Sequence, residues 1–382
     1  MNGRRLWFVG IGGAGLSAYA QLARALGAEV GGWDRVRTPY LEPLAGVPIE
    51  IAPEPVVPEG WEVVVSSAYS SVPGLSRSEF LRELVAGRRT IAVAGTHGKG
   101  TTAALIAYVL RETGRDPAWL IGAPVPQLGS NAGLGGGRLV VEADESDRTA
   151  FALAPEIAVV TNIELDHHTE FASAAELEEA FAAWLDAAPQ AVRDAPPYDG
   201  ELLLPGEHNR RNAGTALAAL ELVGVGRAEA APALARFAGT GRRFEVHERD
   251  GVTVVDDYAH HPTEVSSTIA AARERFPGRR VAVLFQPHLY SRTRHLADEL
   301  GEALAAADDV TVVDVYPARE QPVTGVTGKL VVDALSDRGV LAGWTPTVEQ
   351  GAARLARRAR PGDVLLVLGA GDVDRAVDLL PD

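Results

Sequence analysis

The chain has no cysteine, a single methionine and only two lysines among its 36 basic residues. The first absence excludes disulfides and thiolate-held metals. No apolar run approaches the ~20 residues of a membrane-crossing helix, so membrane insertion is not expected. Met1 to Val9 enters an apolar strand at once, without the apolar core or small-residue cleavage site of a leader. Together these features predict a cytoplasmic protein. Positive charge is in deficit: at a net charge of −15 a phosphate backbone would be repelled, so no nucleic-acid partner is expected. Nucleotides stay open, because their sites are local. At 382 residues the chain is long enough for two or three cored domains.

One of the two lysines, Lys99, lies in Gly95-Thr-His-Gly-Lys-Gly-Thr-Thr102, directly after the apolar stretch Thr90 to Ala94. In a chain that otherwise makes its positive charge with arginine, a lysine flanked by glycines suggests a need for a compact ammonium. A strand, a glycine-rich turn and then the helical run Ala103 to Leu110 would turn backbone N–H groups toward a phosphate chain, with the lysine on its β/γ end. A surface loop that happens to hold a lysine is the weaker reading.

Alternation of short apolar strands with amphipathic helices continues throughout, predicting an α/β protein of parallel βαβ units in three blocks. The first, 1–88, has strands at Leu6–Val9, Glu29–Trp33 and Val63–Val65. The second, 89–223, has strands at Thr90–Ala94, Arg138–Val141 and Ile157–Thr161. The third, 224–382, opens with a Gly/Ala stretch containing a short helix. Its strands are Val252–Asp256, Arg280–Phe285, Val310–Asp314 and Val364–Leu368. In such folds ligands lie outside the carboxyl ends of the strands.

Gly10-Ile-Gly-Gly-Ala-Gly15 satisfies G-x-G-x-x-G after a strand, and Asp34 ends the next strand, where a ribose-binding acid would stand. Alone this reads as a dinucleotide site and an NAD-dependent oxidoreductase. A second phosphate loop within 90 residues has no role in that chemistry. After the strand ending at Val141 come four acids in six residues, Glu142 to Asp147, where a magnesium ion beside the phosphates would be held. Asp166 and His167 follow the next strand as further candidate ligands. Asn209 and Asn212 open a helix and would either cap it or reach a base. Arg242 and Arg243 would reach phosphates across a domain cleft. Polar runs follow two strands of the third block, Asp256 to Glu264 and Gln286 to Arg294.

Taken together, these runs resemble the Mur ligase family. The likeness rests on Gly10–Ser17, Gly95–Thr102, Glu142–Asp147, Thr161–His167, His208–Asn212, Gly241–Phe244, Asp256–Glu264, Gln286–Arg294 and Gly369–Asp372. It implies three domains: an N-terminal Rossmann-like domain that binds UDP, a central ATPase of phosphate-loop type, and a C-terminal Rossmann-like domain. The implied activity is ATP- and Mg²⁺-dependent amide formation between UDP-N-acetylmuramate and L-alanine, through an acyl phosphate, in peptidoglycan precursor synthesis. The implied UDP-sugar residues are Gly10, Gly12, Gly13, Gly15, Ser17, Asp34, Ser66 and Ser67. Those for ATP are Gly95, Thr96, His97, Gly98, Lys99, Gly100, Thr101, Thr102, Asn209, Asn212, Arg243 and Asp257. Thr101, Glu142 and His167 would hold the metal, and Tyr258, His260, His288 and Arg292 the amino acid. Lys99, His260, His288 and Arg292 would carry the catalysis.

The chain departs from the family at several points. Gly100 stands where a threonine hydroxyl usually meets magnesium, so Thr101 is expected to take over. Leu289 replaces an arginine, and the stretch from His168 to Leu204 is short. A ligase that recycles murein tripeptide and a catalytically weak UDP-sugar-binding paralogue are therefore alternatives. Both monomer and homodimer remain open.

Overall fold

A computed structural model describes residues 1–380 other than 146–147, 166–169, 250 and 319. The described chain forms three sheets. The first is made of β1 (Arg5–Val9), β2 (Glu29–Asp34), β3 (Ile49–Ile51), β4 (Glu62–Val65) and β5 (Leu75–Ser76), all parallel, in the order β3-β2-β1-β4-β5. Helices α1 (Ala14–Ala25) and α2 (Arg77–Val85) belong to it. The strand order reverses on either side of β1, and there the glycine-rich turn after β1 faces Ser66 after β4.

The second sheet contains β6 (Thr90–Ala94), β7 (Ala118–Leu120), β8 (Ala132–Gly133), β9 (Leu139–Glu142), β10 (Ile157–Val160) and β11 (Gln190–Val192). Their order is β11-β10-β6-β9-β7-β8, with only β8 antiparallel. Its helices are α3 (Lys99–Glu112), α4 (Ala174–Ala187), α5 (Glu207–Leu222) and α6 (Arg227–Leu234). β6 is buried along its whole length, with α3 packed on it, which accounts for its unbroken apolar sequence. Register then places the chemistry. Val93 pairs with Glu142 and Ala94 with Val160, so the phosphate loop, the acid run and the Thr161 segment all leave one end of the sheet.

The third sheet runs β12-β13-β17-β14-β15-β16, from β12 (Glu245–Arg249), β13 (Val252–Asp257), β14 (Val281–Phe285), β15 (Asp309–Val312), β16 (Ala342–Trp344) and β17 (Val364–Leu368). β12, with the polar sequence Glu-Val-His-Glu-Arg, is antiparallel and largely exposed. The helices are α7 (Pro262–Arg275), α8 (Tyr290–Leu304), α9 (Lys329–Asp337), α10 (Val348–Arg358) and α11 (Ala376–Leu379). β13, β14 and β17 are wholly buried, each apolar side chain contributing roughly 1.5–3 kcal/mol against the entropy of ordering it.

The chain divides into two compact units, residues 1–203 with 209–240, and residues 204–208 with 241–382. Residues 224–240, expected to open the third block, instead pack on the second sheet. Tyr108 of α3 meets Phe237 at 5.5 Å, and Gln127 hydrogen-bonds Arg236 and Ala238. Apolar burial decided this boundary, where composition alone marked only a Gly/Ala stretch.

In the first unit the first and second sheets are joined through Asn131, which is 3% exposed. Its amide donates to Ala14 O (2.9 Å) and Ser17 Oγ (3.3 Å), and its Oδ1 accepts from Gln21 Nε2 at 2.8 Å. Asn131→Ala removes three hydrogen bonds from this junction, each worth about 0.5–1.5 kcal/mol net, and should lower the urea midpoint at unchanged m.

Candidate active site

The phosphate loop is built by glycines that no other residue could replace. Gly95 (φ +121°) and Gly98 (φ +78°) occupy left-handed backbone, and a Cβ would lie 2.4 Å from Thr161 Oγ1 and 2.1 Å from Asn212 Oδ1 respectively. The segment after β10 clamps the loop. Thr161 Oγ1 and Asn162 Nδ2 donate to His97 O at 2.6 and 2.9 Å, and His97 N donates to Asn162 Oδ1 at 2.9 Å. Thr96 Oγ1 donates to Glu164 O and accepts from Glu164 N. Asn209 and Asn212 are both buried, and Asn212 abuts Gly98.

Lys99 begins α3 and folds back beneath the loop. Its Nζ donates to Gly95 O at 2.7 Å, Thr96 O at 3.2 Å and Glu145 Oε1 at 3.0 Å. Burial opposes its charge, but Glu145, Asp144 and Glu142 outweigh that and hold the ammonium's pKa above its ordinary value. Glu145 is 2% exposed, and its Oε2 has no hydrogen-bond partner among the described residues. Burial raises its pKa despite Lys99. Counting acids in the sequence showed a cluster without distinguishing Glu145 as the lysine's partner.

Glu142 accepts from Gly122 N at 2.5 Å and stands beside Gly100, whose Cβ would lie 3.2 Å from Glu142 Oε2. Position 100 therefore faces this carboxylate. Thr101 is buried about 100° further round the helix. Hard carboxylate oxygens beside a phosphate-binding turn fit Mg²⁺, which takes one or two carboxylates plus phosphate oxygens and water. His167, the other expected ligand, lies outside the described residues, as do Asp147 and Asp166.

At the first glycine-rich turn, Gly10 (φ +89°) lies against Ser66 and Tyr69. Asp34, 7% exposed, accepts from Gly12 N (2.7 Å) and Arg35 N (2.7 Å), so its carboxylate shapes the turn. Ser17 is fully buried, its hydroxyl donating to Ala14 O and accepting from Asn131. It lies at the junction of the two sheets. Ser66 caps a short turn by accepting from Ala68 N, and Ser67 is exposed. Gly13 starts α1 without a side-chain cap, leaving the backbone N–H groups of the first turn available.

In the second unit, Asp257 accepts from Phe244 N and Ala259 N, both at 2.8 Å, and so ties the Gly241–Phe244 loop to β13. Arg242 and Phe244 adopt left-handed backbone here (φ +55° and +51°). Tyr258 lies between Arg242 and Arg243, with its ring centroid 5.4 and 5.2 Å from their guanidinium carbons. Arg242 also donates to Asp256, Gly369 O and Gly371 O, joining β13 to the loop after β17. Glu264 caps α7 by accepting from the N-cap His261 N at 3.4 Å, accepts also from His260 N at 3.1 Å, and lies 3.5 Å from Arg243.

The four residues expected to hold the amino acid converge. His260 meets Tyr258 at 5.3 Å and His288 at 5.6 Å, ring to ring, and Arg292 donates to His288 Nδ1 at 3.1 Å. Burial drives the His260 pKa down to about 3, leaving a neutral imidazole. Tyr316 and Glu320, which sequence reasoning did not single out, support this group. Tyr316 stacks on His288 at 5.8 Å, and Glu320 accepts from Ser291 N at 2.9 Å at the start of α8. Neither carries a motif, because both come from the loop after β15 and meet the site only through the fold.

These elements define an α/β protein with two glycine-rich turns, each leading from a strand into a helix, and a cluster of arginines and histidines in the second unit. Residues 93–192 match the Mur ligase middle domain and residues 242–371 the Mur ligase glutamate ligase domain. UDP-N-acetylmuramate–L-alanine ligase of Streptomyces coelicolor is 39% identical, covering 96% of this chain and 94% of that protein. The protein of the same name from Chloroflexus aggregans is 40% identical, over 97% and 96%. The crystal structure of UDP-N-acetylmuramate–alanine ligase from Thermotoga maritima superposes with a TM-score of 0.82 at 26% identity, covering 98% of this chain and 97% of that one. The chain belongs to the Mur ligase family.

Two expected outcomes follow from the second unit. The half-buried His208 has its pKa lowered to about 4 by burial and then by Arg243. The unfolded chain takes up this proton near pH 6.5 while the folded one does not, so stability present above 6.5 falls as the pH drops toward 4. The loss is on the order of 3 kcal/mol, and His208→Gln should flatten this acid limb in thermal melts against pH. Leu289, at φ +68° and ψ 135°, holds a backbone that favours glycine. Leu289→Gly should therefore be more stable than Leu289→Ala by about 1 kcal/mol in urea titration, the reverse of the usual order.

Proposed function

We propose that this chain is an ATP-dependent ligase that joins L-alanine to the lactyl carboxylate of UDP-N-acetylmuramate, in peptidoglycan precursor synthesis. The observation that carries the reading is Lys99, partly buried beneath a glycine turn with Glu142 at the neighbouring strand end, in a chain matched nearly end to end by relatives of that name. An NAD-dependent oxidoreductase would leave this second phosphate loop without work.

In this reading the lactyl carboxylate takes the γ-phosphoryl group of ATP to form an acyl phosphate. The amine of L-alanine then attacks the acyl carbon, and phosphate departs. Such chemistry asks chiefly for positioning and charge neutralisation. Backbone N–H groups of Gly95 to Thr102 receive the phosphates, and Lys99 exchanges its carbonyl and Glu145 contacts for their oxygens. Glu142, with His167 by resemblance, would hold Mg²⁺, which when bound neutralises phosphate charge. By resemblance, Asn209, Asn212, Arg243 and Asp257 would contact ATP. The first glycine-rich turn takes the UDP moiety. Tyr258 and the neutral His260 line the amino-acid site, and Arg292, oriented by His288, offers its carboxylate a guanidinium. The supply of ATP and sugar nucleotide puts this work in the cytoplasm. No helix among the described residues is long and apolar enough to cross a membrane.

Phosphate release tests the reading. It should require Mg²⁺, ATP, UDP-N-acetylmuramate and L-alanine together, and Lys99→Ala should lower it at least about a hundredfold. Release that ignores the sugar nucleotide refutes the substrate assignment. Turnover with L-alanyl-γ-D-glutamyl-meso-diaminopimelate in place of L-alanine points instead to tripeptide recycling.

A further inference from the structure

The residues assigned to the UDP-sugar are backbone-exposing or hydroxyl positions, Ser17 among them, together with one carboxylate, Asp34. None is a cation, although a diphosphate carries negative charge into a turn already shaped by an acid. The structure brings a guanidinium to this place from elsewhere in the chain. Arg77 is the first residue of α2, and its backbone is fixed by a capping box in which Ser76 and Glu79 hydrogen-bond reciprocally.

Its side chain crosses to the start of α1. Nε donates to Tyr19 OH at 3.3 Å, and the guanidinium lies 5.9 Å from the Tyr19 ring centre. A Cβ built on Gly15 would stand 3.4 Å from Arg77 Cζ and 3.5 Å from Nη2, so the guanidinium rests directly over this glycine. Nη1 lies 3.8 Å from Asp144 Oδ2, in the acid run whose next residue, Glu145, holds Lys99. Both Arg77 and Asp144 keep part of their side chains exposed, so an incoming anion can reach the fork.

We propose that Arg77 grips the diphosphate of the sugar nucleotide, with Asp144 holding the guanidinium in place until the ligand arrives. The proposal deepens the functional reading above and rests on it. An uncapped helix start presents N–H groups but only fractional charge, whereas a guanidinium offers two parallel N–H donors and a full charge to neighbouring phosphate oxygens.

The test compares UDP with uridine in calorimetric binding to the full chain, since the two ligands differ only in the diphosphate. Wild-type protein should prefer UDP by more than about 30-fold. Arg77→Ala should cut that preference by roughly 10- to 100-fold, the ordinary worth of a charge-assisted contact, while uridine binds as before. In turnover its KM for UDP-N-acetylmuramate should rise at least about tenfold, with KM for ATP within about twofold. A general structural defect would weaken uridine and ATP as well. An Arg77→Ala protein that keeps the wild-type UDP preference overturns the role of Arg77 while leaving the ligase reading intact. Wild-type protein that binds neither UDP nor UDP-N-acetylmuramate overturns both. Should Arg77→Ala fail to fold, Arg77→Gln keeps a polar side chain of similar reach without the charge. A UDP preference lost in that variant supports the grip, and one retained overturns it.

Discussion

An ammonium partly buried under a turn of glycines must be balanced, and much of the first unit is arranged around that requirement. Lys99 is satisfied by two loop carbonyls and Glu145. Glu145 can be there because β9 lies beside β6 and delivers the acid run to the same end of the sheet. The Thr161 to Glu164 segment can close over the loop because β10 flanks β6 on the other side. A parallel sheet with its central strand buried on both faces is thus what allows three separate stretches of sequence to meet at one lysine.

Such an arrangement also favours exchange. In the functional reading proposed above, Lys99 would pass from these carbonyl and carboxylate oxygens to those of a phosphate without facing an apolar surface. The backbone beneath is already fixed by Thr96, Asn162 and the left-handed glycines, so little ordering remains for a ligand to impose.

The long buried strands and both glycine-rich turns were legible in the sequence, because parallel strands covered on both faces read as unbroken apolar runs and turns need glycine at set offsets. The two- and three-residue strands β3, β5, β7, β8, β11 and β16 were not, since so few residues carry no periodicity. The motif residues of the third block could be picked out, and the structure brings Tyr258, His260, His288 and Arg292 together. Their supports could not, because Tyr316 and Glu320 are near them only after folding. Gly100 is instructive: by sequence it is a missing hydroxyl, and in the structure it is the position that faces Glu142. Asp34 and Ser17 have the opposite lesson. Each was recognisable as part of a motif, yet each hydrogen-bonds its own turn or helix, or the sheet junction.

The antiparallel strand β12 places a glutamate, a valine, a histidine, a second glutamate and an arginine along an outer rim of the third sheet. A free rim of peptide groups invites strands from other molecules to continue the ladder, and interspersed charge makes such an addition costly because each side chain would have to shed water against a stranger's backbone. In a chain so short of lysine, the residue most often set to guard such rims, this part falls to glutamate and arginine, and the third sheet keeps its last hydrogen bonds for solvent.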